Sequence, residues 1–429
     1  MSKLKQVLIL GGLVRFVIPT VLPQIVSILS SINEISTPVN SFKSLQEAFY
    51  YLRHNINLYD GGVNHNPPLL VVLLSLFDDF LPQPLSAIAF NLIYTLIDLY
   101  ITTILLKLNK WYNEHNSKRL KKELTGFNDD LIASFYLFNP LIILTNLSHS
   151  TSVFTFLFIT ESLNQLLIRK NVWRSMIALG LATYLSFSPV FLVFPILALA
   201  KTALFKKDAK EIYFEGGAIF ISTLGLLFLC SFATTASFQF LDSCYGTIIM
   251  FNKISPNLGL WWYIFTEMFQ FFTPFYIGIF NLYSSIFILP LTLRLYEFKT
   301  TAPVGDSFLA VVLSYIWISF TKSYPTVGDL AFGLSLLPIF KATVFPYCKF
   351  TFIYGLTLLV CLFLSPIFYY CWIVLGNGNS NFFYSINLIW GAVHIFIIMD
   401  LLWGKLTYDY IVENKIPEGD REKLRLTQI

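Results

Sequence analysis

The sequence has little charge for its length. Charged residues make up 13% of the 429 residues and hydrophobic residues 55%, and the mean hydropathy is +0.65. A soluble protein carries about a quarter charged residues, so the composition excludes a large soluble enzyme and predicts a polytopic membrane protein. The net charge of +4 is modest, and the basic residues cluster in short segments. That pattern is typical of membrane topology signals rather than of nucleic-acid binding.

Cysteines and catalytic motifs are also scarce. The five cysteines are odd in number and show neither a disulfide framework nor metal-ligand spacing. A thiol nucleophile needs a histidine base beside it, and Cys244, in a predicted loop, is far along the sequence from His65 and His149. The sequence has no P-loop, GxGxxG turn or HExxH helix. We therefore expect no catalytic residue, no metal and no cofactor.

Apolar segments account for most of the chain. Twelve of them suit membrane spans or shorter helices inside a bundle, and they cover residues 7–29, 85–106, 131–147, 151–168, 172–187, 190–205, 214–236, 271–293, 308–320, 330–340, 350–372 and 382–404. The sequence thus predicts an all-α polytopic membrane protein of about 12 transmembrane helices, with one membrane domain over 1–404 and a cytoplasmic tail over 405–429. Asp98, Glu161 and Asp400 fall inside these spans, so we expect them to face the bundle interior.

The distribution of basic residues fixes the orientation. Short cytoplasmic loops collect Lys and Arg, and one arrangement leaves only Lys43, Arg53, Lys253 and Lys322 on the lumenal side. In that arrangement both termini are cytoplasmic and the short apolar segment 67–81 does not span. Counting 67–81 as a span would reverse the distribution. We therefore predict that 67–81 is re-entrant or interfacial.

Four irregular stretches then face the lumen, at 30–66, 237–269, 321–329 and 373–381. The third, TKSYPTVGD, cannot continue a lipid-facing helix, because each unsatisfied polar group in hydrocarbon costs several kcal/mol. It must lie at a membrane surface or in a protein-lined cavity. Within the first stretch, apolar residues at helical spacing over 42–53 predict a helix on the membrane surface.

Three stretches resemble the hallmark sequences of one family. TKSYPTVGD at 321–329, PNLGLWWY at 256–263 and NSNFFY at 379–384 look like those of the PIG-U subunit of glycosylphosphatidylinositol (GPI) transamidase. The resemblance implies residence in the endoplasmic reticulum membrane. It also implies a multi-subunit complex with a cysteine-protease-like catalytic chain, and a non-catalytic role in attaching GPI to precursor proteins. We accordingly expect the GPI glycolipid to contact Tyr59, His65, Asn257, Trp261, Lys322, Tyr324, Asp329, Asn379, Asn381 and Phe382.

The sequence leaves two assignments open. Lys322 suits a lipid phosphate, a salt bridge to Asp329 or an interfacial anchor equally well. The family is also similar to multispanning mannosyltransferases with a GT-C membrane scaffold, which implies an alternative function as a dolichyl-phosphate-sugar-dependent glycosyltransferase. Such enzymes use carboxylates in the first lumenal loop. The adjacent acids here are Asp78 and Asp79, and their competing interpretation is a helix end kept at the surface by charge.

Overall fold

The structure is a computed structural model that describes residues 2–82, 84–204, 208–298 and 303–417. Within those ranges all regular elements are helical. The helices of the first half are α1 (Lys3–Val21), α2 (Gln24–Leu29), α3 (Phe42–Arg53), α4 (Pro68–Phe80), α5 (Leu85–Leu120), α6 (Asp129–Leu137), α7 (Pro140–Leu147), α8 (Ser152–Leu163), α9 (Val172–Leu185) and α10 (Val193–Ala203). Those of the second half are α11 (Gly216–Thr235), α12 (Thr247–Met250), α13 (Trp261–Glu267), α14 (Thr273–Ile286), α15 (Ile288–Arg294), α16 (Ser307–Thr321), α17 (Val327–Leu336), α18 (Thr351–Tyr369) and α19 (Ser380–Glu413).

Six helical segments have the length and apolar composition of a membrane span. Three of them are α1, α5 and α19. The other three are longer segments that include short π or 3-10 turns: Glu211–Thr235 contains α11, Gln270–Arg294 contains α14 and α15, and Thr351–Val374 contains α18. The bent pair α6 and α7 makes a seventh if it crosses as one span. The all-helical, multi-pass architecture is confirmed. The count of twelve spans and the GT-C likeness stay predictions.

Prolines break two of the predicted spans. The segment predicted over 7–29 ends its first helix at Val21 and resumes after Pro23. The segment predicted over 131–147 bends by 53° between α6 and α7, where the Asn139 side chain accepts a hydrogen bond from the Leu141 amide and Pro140 begins α7. Proline lacks an amide hydrogen and restricts the residue before it, so it begins helices readily and interrupts them elsewhere.

Two helices run well past their predicted ends. The segment predicted over 85–106 continues to Leu120, and the last helix continues to Glu413. The first part of the predicted tail, 405–413, is therefore helical, and Lys405 is buried with its ammonium 2.7 Å from Asp409. Residues 418–429 lie outside the described residues. Hydropathy detects only the part of a helix that crosses lipid, so polar turns beyond it escape the pattern.

Helix α16 forms the centre of the bundle. All of its residues are buried, and it packs against α10, α15, α17 and α19. Gly391 lets α19 approach closely, because a Cβ there would lie 2.4 Å from the Phe320 ring. At about 1.5 Å per residue, α16 is about 22 Å long and shorter than the roughly 30 Å hydrocarbon layer. Protein surrounds the polar stretch that follows it.

The first predicted lumenal loop is folded onto the bundle. Helix α3 covers 42–53 as predicted, but its apolar residues pack on protein: the Phe42 and Phe49 rings lie 5.4 and 6.1 Å from Phe90. The protein core thus accounts for the apolar pattern, and the membrane-surface location stays a prediction. Helix α4 is about 20 Å long, short of a full span. Its re-entrant or interfacial position is likewise a prediction.

Candidate functional site

The polar stretch 321–329 lies inside the protein, and eight of its nine residues are buried. Asp329 accepts hydrogen bonds from the amide and the hydroxyl of Thr326 at 2.8 and 2.9 Å, which caps the first turn of α17. Its other carboxylate oxygen is 2.7 Å from the Lys322 ammonium. The salt bridge that the sequence left open is therefore formed.

Hydrogen bonds join this stretch to residues 256–263. The Trp261 indole donates to the Thr321 carbonyl at 2.9 Å, and the Asn257 side chain donates to the Ser323 carbonyl at 3.4 Å. Asn387 of α19 donates in turn to the Asn257 carbonyl at 2.6 Å. These side chains satisfy backbone groups that a broken helix leaves unpaired. Asn257 and Trp261 thus hold the two stretches together.

Aromatic contacts add the third motif stretch, 379–384. The Tyr263 ring stacks on Tyr384 with centroids 4.0 Å apart, and its hydroxyl donates to the Asn381 side chain. Trp262 packs on Phe383 at 5.7 Å. The three stretches, 256–263, 321–329 and 379–384, form one unit that we call the motif cluster. The structure therefore brings together segments whose contacting residues are 60 and 118 positions apart in the sequence, as Trp261 with Thr321 and Tyr263 with Asn381.

A small polar cavity lies between the motif cluster and the first predicted lumenal loop. Its wall includes His65 and Lys322, and the other polar side chains come from α8 and from connections between helices: Asn40, Thr151, Ser152, Thr155, Ser186, Cys244, Tyr245 and Tyr324. The enclosed volume is about 20 Å³, which is room for one water molecule. A whole sugar does not fit inside, so a larger ligand has to bind at its mouth.

His65, on the wall of this cavity, has one ring nitrogen without a hydrogen-bond partner among the described residues. Its Nδ1 lies 2.7 Å from the Ser243 carbonyl oxygen, which assigns the proton to Nδ1. Nε2 is buried and has no hydrogen-bond partner among the described residues. Burial lowers the pKa of His65 below its ordinary value, so the ring is neutral at physiological pH. Nε2 is thus suited to accept a hydrogen bond from a ligand hydroxyl.

Cys244 shares the cavity with His65, although the two are far apart in the sequence. Separation along the sequence therefore does not keep these two side chains apart, contrary to expectation. Burial nevertheless raises the pKa of the Cys244 thiol to about 12, and its sulfur faces the Tyr59 hydroxyl at 3.8 Å. The thiolate is the reactive form, so this arrangement does not supply a nucleophile.

The ten residues predicted to contact GPI separate into three groups. Three line the polar cavity, namely His65, Lys322 and Tyr324. Four are buried and engage other parts of the protein, namely Tyr59, Asn257, Trp261 and Asp329. Three are exposed where α19 begins, namely Asn379, Asn381 and Phe382. Without a rearrangement of the protein, a ligand can contact the residues of the first and third groups.

Asp78 and Asp79, the acids of the alternative function, are engaged by an arginine. Arg53 of α3 donates from Nε to Asp79 at 2.7 Å and from Nη2 to Asp78, and Ser86 donates to Asp78 at 2.8 Å. These contacts tie α3 to the end of α4. The geometry favours a structural role for the pair over acid-base chemistry.

Glu34 is an anchor that sequence reasoning left without a role. Its carboxyl accepts a hydrogen bond from Ser365 of α18 at 2.6 Å, and its carbonyl accepts from the Val327 amide at 2.9 Å. Burial raises the pKa of the Glu34 carboxyl. The first loop is thereby attached to both α17 and α18. Its sequence context, SINEIST at 31–37, identifies none of these partners.

An apolar groove adjoins the polar cavity and shares Tyr245 with it. The groove has a volume of about 560 Å³ and is lined by Phe187, Leu224, Phe228 and Ile249 among others. Pockets of this size and lining accept apolar ligands. A polar cavity and an apolar groove thus meet at one side chain.

The close approach of the motif stretches can be tested at Gly259. A Cβ there would lie 2.9 Å from the Pro325 ring and from the Asn257 side chain. Gly259→Ala should therefore lower the free energy of unfolding by about 1–3 kcal/mol through overpacking. Gly278, beside which a Cβ meets open space, is the control, and Gly278→Ala should be neutral or stabilising. Equal thermal midpoints for the two variants would contradict the packing.

His149 should make stability depend on pH. It is buried between Phe42 and Tyr94, with ring centroids 4.9 and 4.6 Å away, and burial lowers its pKa to about 3. A folded pKa below the unfolded value of about 6.5 means that stability falls as pH drops below 6.5, by about 2 kcal/mol between pH 7.5 and 5. His149→Asn suits the positive φ of 52° and should remove this loss. Thermal midpoints measured across that pH range test the prediction, with His54→Asn, at an exposed histidine, as the control. The same pH dependence in His149→Asn as in the unsubstituted protein would refute the assignment.

Comparison with known proteins gives consistent matches. The family profile described as GPI transamidase subunit PIG-U matches residues 9–390. The chain is 38% identical over 416 residues to the GPI transamidase component GAB1 of Saccharomyces cerevisiae, covering 97% of this chain and 96% of that protein. It is 27% identical over 406 residues to the GPI-anchor transamidase component PIGU of Homo sapiens, covering 88% of each. The GAB1 homolog of Schizosaccharomyces pombe is 27% identical over 404 residues, with 92% and 91% covered.

Proposed function

Because this chain belongs to the PIG-U family of GPI transamidase subunits, we propose that it holds the GPI lipid in place while another subunit cleaves the precursor protein. The chain is a non-catalytic membrane subunit of the GPI transamidase complex. Its partners are then the other subunits, including a protease-like catalytic chain, and its location is the endoplasmic reticulum membrane with the motif cluster on the lumenal side.

The adjacent polar cavity and apolar groove carry the proposal. A GPI molecule combines phosphate and hydroxyl groups with acyl chains, so its site needs a cation, hydrogen-bonding groups and an apolar channel. Lys322 supplies the cation and His65 Nε2 an acceptor, and the groove that shares Tyr245 supplies the channel. The phosphate would sit at the mouth of the cavity, since the cavity itself has room for one water.

The exposed residues at the start of α19 extend this site. Asn381 and Asn379 carry amide groups that can hydrogen-bond sugar hydroxyls, and the side chain of Phe382 is 53% exposed. In the sequence they come just before Phe383 and Tyr384, which make the aromatic contacts of the motif cluster. We therefore assign the glycan to Asn379, Asn381 and Phe382, and the phosphate to Lys322.

The lipid content of the purified complex tests the proposal. Lys322→Gln removes a charged donor, whose hydrogen bonds are worth about 1.5–3 kcal/mol, so co-purified GPI measured by mass spectrometry should fall at least tenfold. His65→Phe should lower it less. Lys43→Gln, an exposed lysine on the same predicted side, is the matched control. Unchanged GPI in Lys322→Gln, with all subunits retained, would remove this site.

A further inference from the structure

A second cavity, near the C-terminal end of α5, is rich in lysine. It has a volume of about 410 Å³, and its wall includes Lys107, Lys110 and Lys118 of α5 together with Lys170 from the connection between α8 and α9. We call it the basic cavity. None of its residues takes part in the motif cluster or the polar cavity.

The charges in the basic cavity are mostly unpaired. Lys110 lies 4.0 Å from Glu114, the acid on the wall, which is the limit of an ion pair. Among the described residues, Lys107, Lys118 and Lys170 form no ion pair. Three spare positive charges around one concavity create a field that attracts an anion.

The position of the cavity along α5 matches the depth of lipid headgroups. At about 1.5 Å per residue, Lys107 lies about 33 Å along the axis from Leu85, close to the roughly 30 Å thickness of the hydrocarbon layer. Trp111, on the same wall, is of the type found at membrane interfaces. Leu167 and Ile168 give the cavity an apolar side, so phosphate and acyl chain both find suitable contacts.

Loop topology alone explains basic residues on this side, but not their arrangement. A topology signal requires only that lysines lie in the loops, whereas these come from two separate segments and surround one cavity. Lys170 also adopts a φ of 56°, a conformation that glycine or asparagine adopts at lower cost. Glycine at position 170 should therefore fit the backbone conformation without strain.

We infer that the basic cavity binds the phosphate headgroup of an anionic phospholipid in the membrane leaflet at this end of the bundle. The four lysines surround the charged headgroup, and the apolar side contacts the first carbons of the lipid chain. Basic pockets between membrane helices bind anionic headgroups in this way, and each lysine near the surface contributes about 1 kcal/mol. This site is separate from the proposed GPI site and does not depend on it.

The test measures lipid binding by the purified complex. In nanodiscs of phosphatidylcholine with a few per cent phosphatidylinositol, native mass spectrometry or a photoreactive phosphatidylinositol probe should find that lipid bound at α5. Each Lys→Gln substitution among the four should weaken binding about fivefold. Lys170→Gly is the variant least liable to misfold, because it relieves the backbone strain, and it should lose the same binding while keeping or raising the thermal midpoint.

Matched controls separate a built site from general surface charge. The set Lys5→Gln, Lys210→Gln, Lys349→Gln and Lys415→Gln removes four exposed lysines outside the cavity and should leave binding within twofold. An equal loss in this set, or equal occupancy by phosphatidylcholine, would overturn the site. Saturation by millimolar inorganic phosphate with no preference for the lipid would overturn its assignment to a lipid.

Discussion

Replacing Arg15 with methionine is expected to lower the free energy of unfolding by about 3–5 kcal/mol, because it leaves a buried carboxylate without its counter-charge. Arg15 and Asp98 are 0% and 1% exposed, and Nε lies 2.5 Å from the carboxylate. Arg15 also donates to the Leu137 carbonyl at 2.8 Å, beside the bend between α6 and α7. One side chain thus joins α1, α5 and α6.

A double substitution separates the lost ion pair from lost packing. Arg15→Met/Asp98→Asn removes both charges and keeps an acceptor for the Tyr136 hydroxyl, which donates to Asp98 at 2.9 Å. It should recover most of the stability lost in Arg15→Met. Thermal midpoints in detergent measure both effects, with the exposed Arg174→Met as a control that should change little. A double variant no more stable than Arg15→Met would contradict the buried-charge explanation.

Asp329→Ala should be nearly as damaging, at about 3–5 kcal/mol. It leaves the Lys322 ammonium, whose side chain is 15% exposed, without its partner, and it uncaps the Thr326 amide at the start of α17. Asp329→Asn retains an acceptor for the cap, so it should lose less. Thermal midpoints of the two variants provide the comparison.

The Asp329 variants also separate stability from lipid binding. Lys322→Met/Asp329→Asn should be more stable than Asp329→Ala because no charge remains unpaired, yet it should lose GPI as Lys322→Gln does. The exposed Asp60→Ala is the control for removing an acid. Full GPI binding by the double variant would show that the salt bridge serves structure alone.

The sequence predicted the helical class, but not which residues of the candidate site contact each other. An apolar run indicates a segment that contacts lipid or the protein core, so the predicted ends of most helices lie within a few residues of the observed ones. The contacts of Arg15 with Asp98, and of Glu34 with Ser365, join residues that are 83 and 331 positions apart. No local periodicity encodes such pairs. They depend on how the helices are arranged.

The predicted site residues show the same division. Sequence reasoning identified unusual residues without distinguishing those that build the site from those that face a ligand. The side chains of Asn257 and Trp261 donate hydrogen bonds to backbone carbonyls in the interior, which a motif cannot reveal. The unpaired Nε2 of His65 was also hidden, because it depends on a carbonyl at Ser243. Burial and hydrogen-bond partners, rather than residue type, separate the two roles.

The complete enclosure of α16 bears on how the protein responds to different membranes. Helices that touch lipid tilt or shift when bilayer thickness changes, at a cost of fractions of a kcal/mol per ångström of mismatch. The long outer helices are subject to that adjustment, whereas α16 contacts protein along its whole length. The stretch 321–329 is thereby insulated from lipid composition. Its geometry should stay constant in thin and thick bilayers while the outer helices change their tilt.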